Sequence, residues 1–223
     1  MNKSVNPLLA RLLGLFFRLL YHPLAWSYDA VAAVVSVGRW RNWVLSAARQ
    51  VSGRRVLELG FGPGHLQTHL SAAGIQVFGL DESASMARQA RKKLARGGQE
   101  HGLVRGLAQN LPFQSNSFDS VVSTFPTPYI IHPATLAEVH RVLAEGGRLV
   151  VLFAAWINGS SLLDQGAALL FRVTGQAPAE FEAGDALLAP FREAGFQVEA
   201  RRVNLPDSTL LYIIAIKVPG TNL

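Results

Sequence analysis

The sequence predicts an α/β domain built on a mostly parallel sheet, and two short segments carry most of that prediction. Val56–Leu59 is a short apolar run that contains one acidic residue, Glu58, and three glycines at alternate positions follow it, the first being Gly60. This pattern is typical of a buried strand followed by a tight turn against a ligand. Gln76–Leu80 is a second such run, and Asp81 follows it, 21 positions after Gly60. A carboxylate at that spacing meets ribose hydroxyls in a βαβ nucleotide site.

The rest of the chain alternates strand and helix patterns, as a parallel sheet requires. Strands are expected near residues 54–59, 76–80, 102–106, 118–124, 147–153, 196–202 and 210–217. Helices are expected near residues 64–73, 83–96, 133–143 and 185–194. Residues 1–50 form an N-terminal helical segment, and residues 51–223 form the domain. An insertion is expected at residues 154–184, where an apolar piece at 161–173 roofs the substrate cavity.

Composition restricts the possible functions. The chain has 223 residues, 49% of them hydrophobic, which is enough for one domain with a full core. It has no cysteine, and this excludes disulfides, thiolate metal sites and a thiol nucleophile. The net charge is +6, but the basic residues do not form a long run, so no nucleic-acid partner is expected. Several of them share the helix after Asp81 and are expected to be solvated: Arg88, Arg91, Lys92, Lys93 and Arg96.

Two other kinds of site are disfavoured by spacing. A nicotinamide dinucleotide fingerprint needs a third glycine at position 65, where this chain has His65. His65 and His69 have the i, i+4 spacing of a zinc pair. No glutamate stands beside His65 and no third ligand is evident, so no metal site is expected.

The N-terminal segment contains an apolar stretch at residues 7–21, interrupted only by Arg11, Gly14 and Arg18, which share one helical stripe. It is shorter than the roughly 20 residues needed to span a bilayer. Two interpretations remain, a helix in the membrane interface or a lid over the cleft of its own domain. We favour the interface slightly. The chain is expected in the cytoplasm, with peripheral contact at the inner face of the membrane.

Five ordered motifs resemble those of class I S-adenosylmethionine-dependent methyltransferases, over about residues 54–218. The segment 58–64, ELGFGPG, matches the glycine motif, and 80–86, LDESASM, resembles the second motif. Residues 111–113 with 117–122 resemble the third and fourth motifs. Residues 141–149 are similar to the "RVLxPGG" segment, with Glu145 where proline is usual. Residues 25–29 and 36–43 resemble the entry segment of the ubiquinone/menaquinone C-methyltransferase family, which is the closest in pattern.

The resemblance implies a Rossmann-like, seven-stranded, mostly parallel sheet, with strand seven antiparallel between strands five and six and helices on both faces. It implies methyl transfer from S-adenosylmethionine to a hydrophobic small molecule or lipid, with a quinone-like acceptor favoured. Two alternatives remain, a phospholipid amine N-methyltransferase and a non-catalytic membrane-associated binding protein that keeps the fold. The sequence leaves the oligomeric state open.

The resemblance also implies a donor site. Asp81 would take the ribose hydroxyls. Glu58 would reach the amino group of the donor, or else be a core-edge carboxylate satisfied by backbone. Leu107 stands where relatives have an acidic residue, so the amide of Ala108 and the side chain of Gln109 or Asn110 would bind the adenine. The full set of expected donor-binding residues is Tyr28, Glu58, Gly60, Gly62, Gly64, Asp81, Glu82, Met86, Ala108, Gln109 and Thr124.

Methyl transfer from a sulfonium requires positioning and exclusion of water, and no obligatory acid, base or metal. The catalytic residues are therefore unknown from sequence. The polar candidates on the acceptor side follow the fourth strand and are Thr127, Tyr129 and His132. His132 precedes Pro133 at a helix start, where a capping role is an equal alternative. Asp119 begins the fourth strand, away from the reacting end, and is expected to be structural.

Overall fold

In a computed structural model, the described residues are 36, 38–97, 102–158 and 184–220. The strands in these ranges are β1 Arg55–Leu59, β2 Gln76–Asp81, β3 Gly102–Arg105, β4 Phe118–Thr124, β5 Leu143–Ile157, β6 Phe196–Leu205 and β7 Ser208–Lys217. The α-helices are α1 Trp40–Ser46, α2 His65–Ala72, α3 Ala84–Arg96, α4 Pro133–Val142 and α5 Asp185–Glu193. Short 3₁₀ turns cover Ala47–Arg49 and Pro128–Ile131. The alternation predicted from sequence is confirmed.

The seven strands form one sheet in the order β3-β2-β1-β4-β5-β7-β6. Strands β1 to β5 are mutually parallel, and β7 lies antiparallel between β5 and β6, as expected. The chain leaves β1 towards β2 and returns to pair β4 on the other side of β1. In open α/β sheets this change of direction creates a crevice at the carboxyl ends of the strands. Gly60 and Thr124 both lie at that crevice.

The core has two layers because successive side chains of a strand point to opposite faces. On one face, Leu57 and Val121 pack with the buried side chains of α4 and α5. On the other face, Val56 and Val122 pack with α1 and α2, including Trp43. The near-continuous apolar runs in the sequence follow from this burial on both faces.

Strand β5 is longer than the sequence predicted. Residues 154–157 were expected to begin the insertion, but they continue the strand and pair with β7 from Leu211 to Ser208. A bulge between Leu152 and Ala154 precedes this extension. The pairing joins residues about fifty positions apart, so the local pattern could not reveal it. Residues 159–183 of the expected insertion lie outside the described residues.

The hairpin from β6 to β7 is also longer than expected, with only Pro206 and Asp207 between the strands. The side chain of Asp207 forms an ion pair with Arg39, the residue before α1. The backbone carbonyl of Asp207 accepts a 2.9 Å hydrogen bond from the amide of Asn158. These contacts fix the start of α1 beside the carboxyl edge of the sheet.

Candidate active site

A cleft of about 270 Å³ lies at the carboxyl ends of the central strands. Its walls come from the loops that follow β1, β2, β3 and β4. The lining residues are Gly60, Leu80, Asp81, Glu82, Ser83, Met86, Gly106, Leu107, Ala108, Gln109, Thr124, Phe125, Pro126, Thr127 and Tyr129. Residues expected on the donor side and on the acceptor side therefore face one continuous space.

Most of the predicted site residues are brought together here. Those that line the cleft are Gly60, Asp81, Glu82, Met86, Ala108, Gln109, Thr124, Thr127 and Tyr129. Four others do not line it, namely Glu58, Gly62, Gly64 and His132. Tyr28 lies outside the described residues. Several other lining residues were not predicted from the sequence, where nothing but their place next to a motif could have indicated them. They are Leu80, Ser83, Gly106, Phe125 and Pro126.

Asp81 ends β2 with its carboxylate held by two backbone amides. One oxygen accepts from the amide of Ser83 at 2.8 Å, and the other accepts from the amide of Gly62 at 2.9 Å. Burial raises the pKa of Asp81, and the two amide bonds oppose that rise. A carboxylate offers about four lone-pair positions, so two remain for a ligand that donates two hydroxyls. This geometry fits a ribose.

Gly60 and Tyr129 lie in close contact at the base of the cleft. The backbone of Gly60 has a φ of +69°, and a Cβ placed there would come within 3.0 Å of the Tyr129 hydroxyl. That hydroxyl also contacts the Ser123 hydroxyl at 2.9 Å and the Leu59 carbonyl at 3.3 Å. Tyr129 therefore joins the loop after β4 to the end of β1, a role that its sequence position did not reveal.

The other two glycines shape the loop without lining the cleft. Gly62 turns its amide towards Asp81, as described above. Gly64 has a φ of +80° and directly precedes α2, where a Cβ would meet the Cβ of Ala90 at 2.9 Å. Glycine at this position thus allows α2 to pack closely on α3. Direct contact of Gly62 and Gly64 with the donor remains a prediction.

Glu58 is buried behind the glycine loop, with only 1% of its surface exposed. Its carboxyl group accepts a 2.9 Å hydrogen bond from the side-chain amide of Gln67, which also donates to the Phe78 carbonyl at 3.0 Å. A Cβ on Gly79 would lie 3.0 Å from that amide, so glycine leaves room for it. Burial raises the pKa of Glu58 to about 8, against the Gln67 bond that lowers it. Within the described ranges, Glu58 is hydrogen-bonded by the Gln67 side chain and not by the backbone that the sequence-based alternative expected.

The loop that carries Gly106 to Gln109 is held in place from α4. The Arg141 guanidinium donates to the carbonyls of Leu111 and Phe113 at 3.0 and 2.8 Å. Glu138 accepts from the amide of Leu111 at 2.6 Å and from Arg141 at 2.7 Å. The hydrogen bond from Arg141 holds the pKa of Glu138 below its ordinary value. Arg141, the first residue of the segment that resembles the "RVLxPGG" motif, thus positions residues 111–113, which resemble the third motif.

Phe125 has a backbone conformation that is unusual outside glycine, with a φ of +49°. Left-handed backbone costs an ordinary residue about 1–2 kcal/mol. The residue before a proline prefers φ near about −120°, and Pro126 follows Phe125. A 2.8 Å hydrogen bond from its amide to the Leu152 carbonyl holds the conformation. Strain of this kind is concentrated at functional sites, and here it lies on the cleft wall.

Comparisons with known proteins agree with this geometry. Residues 57–151 match the family model described as "Methyltransferase domain". The part of the chain from β1 to β5 is therefore a methyltransferase domain. For this domain, the predicted resemblance to methyltransferases that use S-adenosylmethionine is confirmed.

The methyltransferase domain is similar to curated proteins named demethylmenaquinone methyltransferase. One from Clavibacter sepedonicus is 36% identical over 129 residues, covering 56% of this chain and 52% of that protein. One from Thermus thermophilus is 34% identical over 139 residues, covering 60% of this chain and 63% of that protein. The matched region therefore spans about half to three fifths of these relatives.

The fold is similar to that of a solved structure from Methanococcus maripaludis, whose protein is described as a candidate S-adenosylmethionine-dependent methyltransferase. The TM-score is 0.64 at 18% identity, over 89% of this chain and 94% of that chain. This similarity supports the predicted fold class.

His132 and Asp119 both make the structural contacts that the sequence allowed for them. The Nδ1 atom of His132 accepts from the amide of Ala134 at 3.2 Å, which is the capping contact that the sequence allowed. Asp119 accepts from the amides of Arg54 and Arg55 at 2.7 and 2.9 Å, at the start of β1. His132 is exposed and Asp119 lies at the opposite end of the sheet, so neither touches the cleft.

The described ranges contain no group of three or more histidine, cysteine, aspartate or glutamate side chains that could hold a metal ion. His65 contacts the ammonium of Lys93 at 3.2 Å, at the helix α2 to α3 interface. The zinc-like spacing of His65 and His69 thus has no third ligand within the described part of the methyltransferase domain.

Proposed function

We propose that this protein transfers the methyl group of S-adenosylmethionine to a hydrophobic, quinone-like acceptor. The observation that carries the proposal is the single cleft that Asp81 and Tyr129 share, with the donor-side loops on one wall and the loop after β4 on the other. The names of the similar curated proteins support the acceptor class. S-adenosylmethionine supplies an activated methyl group, so the residues of the chain need only bind, orient and exclude water.

On the donor side, each proposed role follows from a contact already described. Asp81 is oriented by the amides of Gly62 and Ser83, with lone pairs left for the ribose hydroxyls. Leu107 is 54% exposed and contributes an apolar edge where relatives have a carboxylate. Gln109 also lines the cleft and is the polar side chain available for the adenine amine, whereas Asn110 does not line it.

On the acceptor side, the described lining is uncharged. Phe125 and Pro126 are flanked by the hydroxyls of Thr124 and Thr127, and no carboxylate of the described lining lies on this wall. The hydroxyl of Tyr129 is already engaged by Ser123 and Leu59. An acceptor that is itself electron-rich, such as an ionised quinol ring, needs no protein base to attack the methyl group. This favours a quinol over a lipid amine, whose ammonium must first lose a proton to a base before its nitrogen can attack.

Glu145, the departure from the family pattern, does not weaken the proposal. Its side chain lies 3.3 Å from the ammonium of Lys217, which also donates to Asn116 and to the Leu143 carbonyl. These residues surround the amino-terminal end of β5, opposite the cleft. The substitution therefore has a local structural partner and no contact with the proposed chemistry.

Peripheral membrane contact through residues 7–21 is a separate proposal that rests on the sequence. Among the described residues, no helix has the length and apolar character needed to cross a membrane. If the acceptor is dissolved in a bilayer, the cleft must open near the lipid surface, and membrane contact through residues 7–21 would hold it there.

The test is a binding titration followed by a turnover assay. Calorimetry with S-adenosylhomocysteine measures donor binding, and labelled S-adenosylmethionine then reports methyl transfer to a demethylated naphthoquinol under reducing conditions or to phosphatidylethanolamine. We expect transfer to the quinol and none to the phospholipid. Donor binding without transfer to either would favour the non-catalytic binding protein, and transfer to the phospholipid alone would favour the amine methyltransferase.

A further inference from the structure

Phe125 connects the cleft to an aromatic cluster outside it. Its ring stacks on Trp40, with centroids 4.4 Å apart and planes 27° apart, and lies 6.2 Å from the ring of Trp43. Trp40 begins α1, and the preceding Arg39 is ion-paired with Asp207 in the hairpin turn. Helix α1 thus presents a fixed aromatic backing to the ring of Phe125.

The strained backbone at Phe125 needs a reason. If only the turn after β4 mattered, a glycine would adopt the same φ without strain. The chain instead keeps a large aromatic residue in a conformation that both its side chain and Pro126 disfavour. Strain at such a site is evidence for a function of the group that it presents. Here that group is an aromatic ring on the wall of the cleft.

We propose that Phe125, backed by Trp40, is the specificity-determining residue for the acceptor, and that the planar unsaturated ring of the acceptor stacks on it. The inference rests on the proposed function and deepens it. Aromatic pairs favour centroid distances of about 4.5–7 Å, so a bound ring would extend the Trp40–Phe125 stack by one member. Trp40 does not line the cleft and acts through Phe125, as a positioning residue.

The first test separates the ring from the backbone. Phe125→Leu keeps an apolar side chain but removes the aromatic face, and Phe125→Gly also removes the backbone strain. Both should raise the KM for a naphthoquinol about tenfold, with kcat and the Kd for S-adenosylhomocysteine changed less than about threefold. Phe125→Tyr should keep the wild-type KM. If Phe125→Gly keeps it too, Phe125 serves only the turn and the proposal is wrong.

A matched control is available at Phe113, which is partly buried like Phe125 and packs edge-on to Phe118 at 5.2 Å, away from the cleft. Phe113→Leu should lower stability without changing the acceptor KM. Trp40→Leu should raise the acceptor KM by a smaller factor, and the double variant with Phe125→Leu should be no worse than Phe125→Leu alone. Should Phe125→Leu fail to fold, Trp40→Leu and Phe125→Tyr still carry the test.

The second test does not depend on methyl transfer. Oxidised naphthoquinone is titrated into protein saturated with S-adenosylhomocysteine, and binding is followed by calorimetry. Wild-type protein should bind it, and Phe125→Leu should bind about tenfold more weakly. Selective loss in Phe125→Leu supports the ring site even if no quinol is methylated, in which case only the proposed function fails. Equal binding by both proteins, or no binding by the wild type, overturns the ring site even if methyl transfer is observed.

Discussion

The carboxylate of Asp81 accepts a 2.9 Å hydrogen bond from the backbone amide of Gly62, which joins the end of β2 to the glycine loop after β1. The second oxygen is bound to the amide of Ser83 at the start of the next helix. The conformation of the glycine loop and the proposed binding of ribose therefore both involve the side chain of Asp81.

Asp81→Ala should weaken the binding of S-adenosylhomocysteine by about one to two orders of magnitude, because hydrogen bonds to a charged group contribute about 1.5–3 kcal/mol. Calorimetry measures the change. Asp119→Ala is the control, since Asp119 also binds two backbone amides but lies at the far end of β1. It should lower the melting temperature and leave the Kd unchanged. Unchanged affinity in Asp81→Ala would remove Asp81 from the donor site.

Gly60→Ala should be more destabilising than Gly62→Ala. Both glycines have positive φ, so alanine costs about 1–2 kcal/mol at either position. Only at Gly60 would the new Cβ also meet a side chain, the Tyr129 hydroxyl at 3.0 Å, whereas nothing lies within 4 Å at Gly62. Denaturant unfolding should therefore show a larger loss for Gly60→Ala, and most of the difference should disappear when both glycine variants are compared in a Tyr129→Phe background. Equal losses in the two single variants would contradict the close contact.

The stability of the ligand-free protein should fall as the pH rises from about 4.5 to about 8, because of Glu58. The pKa of Glu58 is raised from an ordinary 4.5 to about 8 in the folded protein. In that window the folded state keeps a proton that the unfolded state has lost, so the free energy of unfolding decreases with pH. Glu58→Gln should flatten this dependence. A slope that is the same in both proteins would mean that Glu58 is not the group responsible.

The same carboxyl group gives a separate prediction for the donor. If Glu58 reaches the amino group of the donor, binding of S-adenosylhomocysteine near pH 7 should release a proton, because an ammonium favours the ionised carboxylate. Calorimetry in two buffers of different ionisation enthalpy measures the number of protons released. Glu58→Gln should abolish the release, and release that persists in this variant would assign it to another group.

Arg141→Lys should impair donor binding from a distance. The guanidinium of Arg141 pairs with Glu138 and donates to two carbonyls of the β3–β4 loop, just after residues 106–109, which line the cleft. A lysine cannot reproduce this forked geometry. We expect a loss of roughly 1–3 kcal/mol in stability and a several-fold weaker affinity for S-adenosylhomocysteine. Arg192→Lys is the control, because Arg192 makes an exposed ion pair with Asp185 and should change neither quantity.

Reversing the charges in the apolar N-terminal stretch should reduce membrane binding. Each basic residue near an anionic surface contributes about 1 kcal/mol to binding. The double variant Arg11→Glu with Arg18→Glu should therefore lower the affinity for anionic vesicles, measured by sedimentation, by at least about tenfold. The Kd for S-adenosylhomocysteine should not change. Wild-type protein that does not sediment with vesicles at low salt would instead favour the lid, in which case deletion of residues 1–20 should abolish acceptor turnover in detergent.

Local sequence was sufficient for most of the fold and for several residues on the proposed donor side of the cleft. The glycines after Leu59 and the carboxylate after Leu80 are encoded within a few residues of the strands that place them, so spacing alone predicted Gly60 and Asp81. Strand and helix bounds were also close, because burial of the sheet on both faces leaves continuous apolar runs. The order of the strands followed from the resemblance to a known family.

Tertiary structure decided the features that join distant segments. The extension of β5 to Ile157 exists because β7 pairs with it, and the position of the cleft loop depends on Arg141, about thirty residues away. The stack of Trp40 on Phe125 joins the N-terminal segment to the end of β4. Periodicity and spacing record only the neighbours of a residue along the chain, whereas these contacts arise between side chains that meet when the sheet is assembled. For that reason the sequence by itself determined the fold class and the donor motif, and only the folded structure determined which side chains support the acceptor wall.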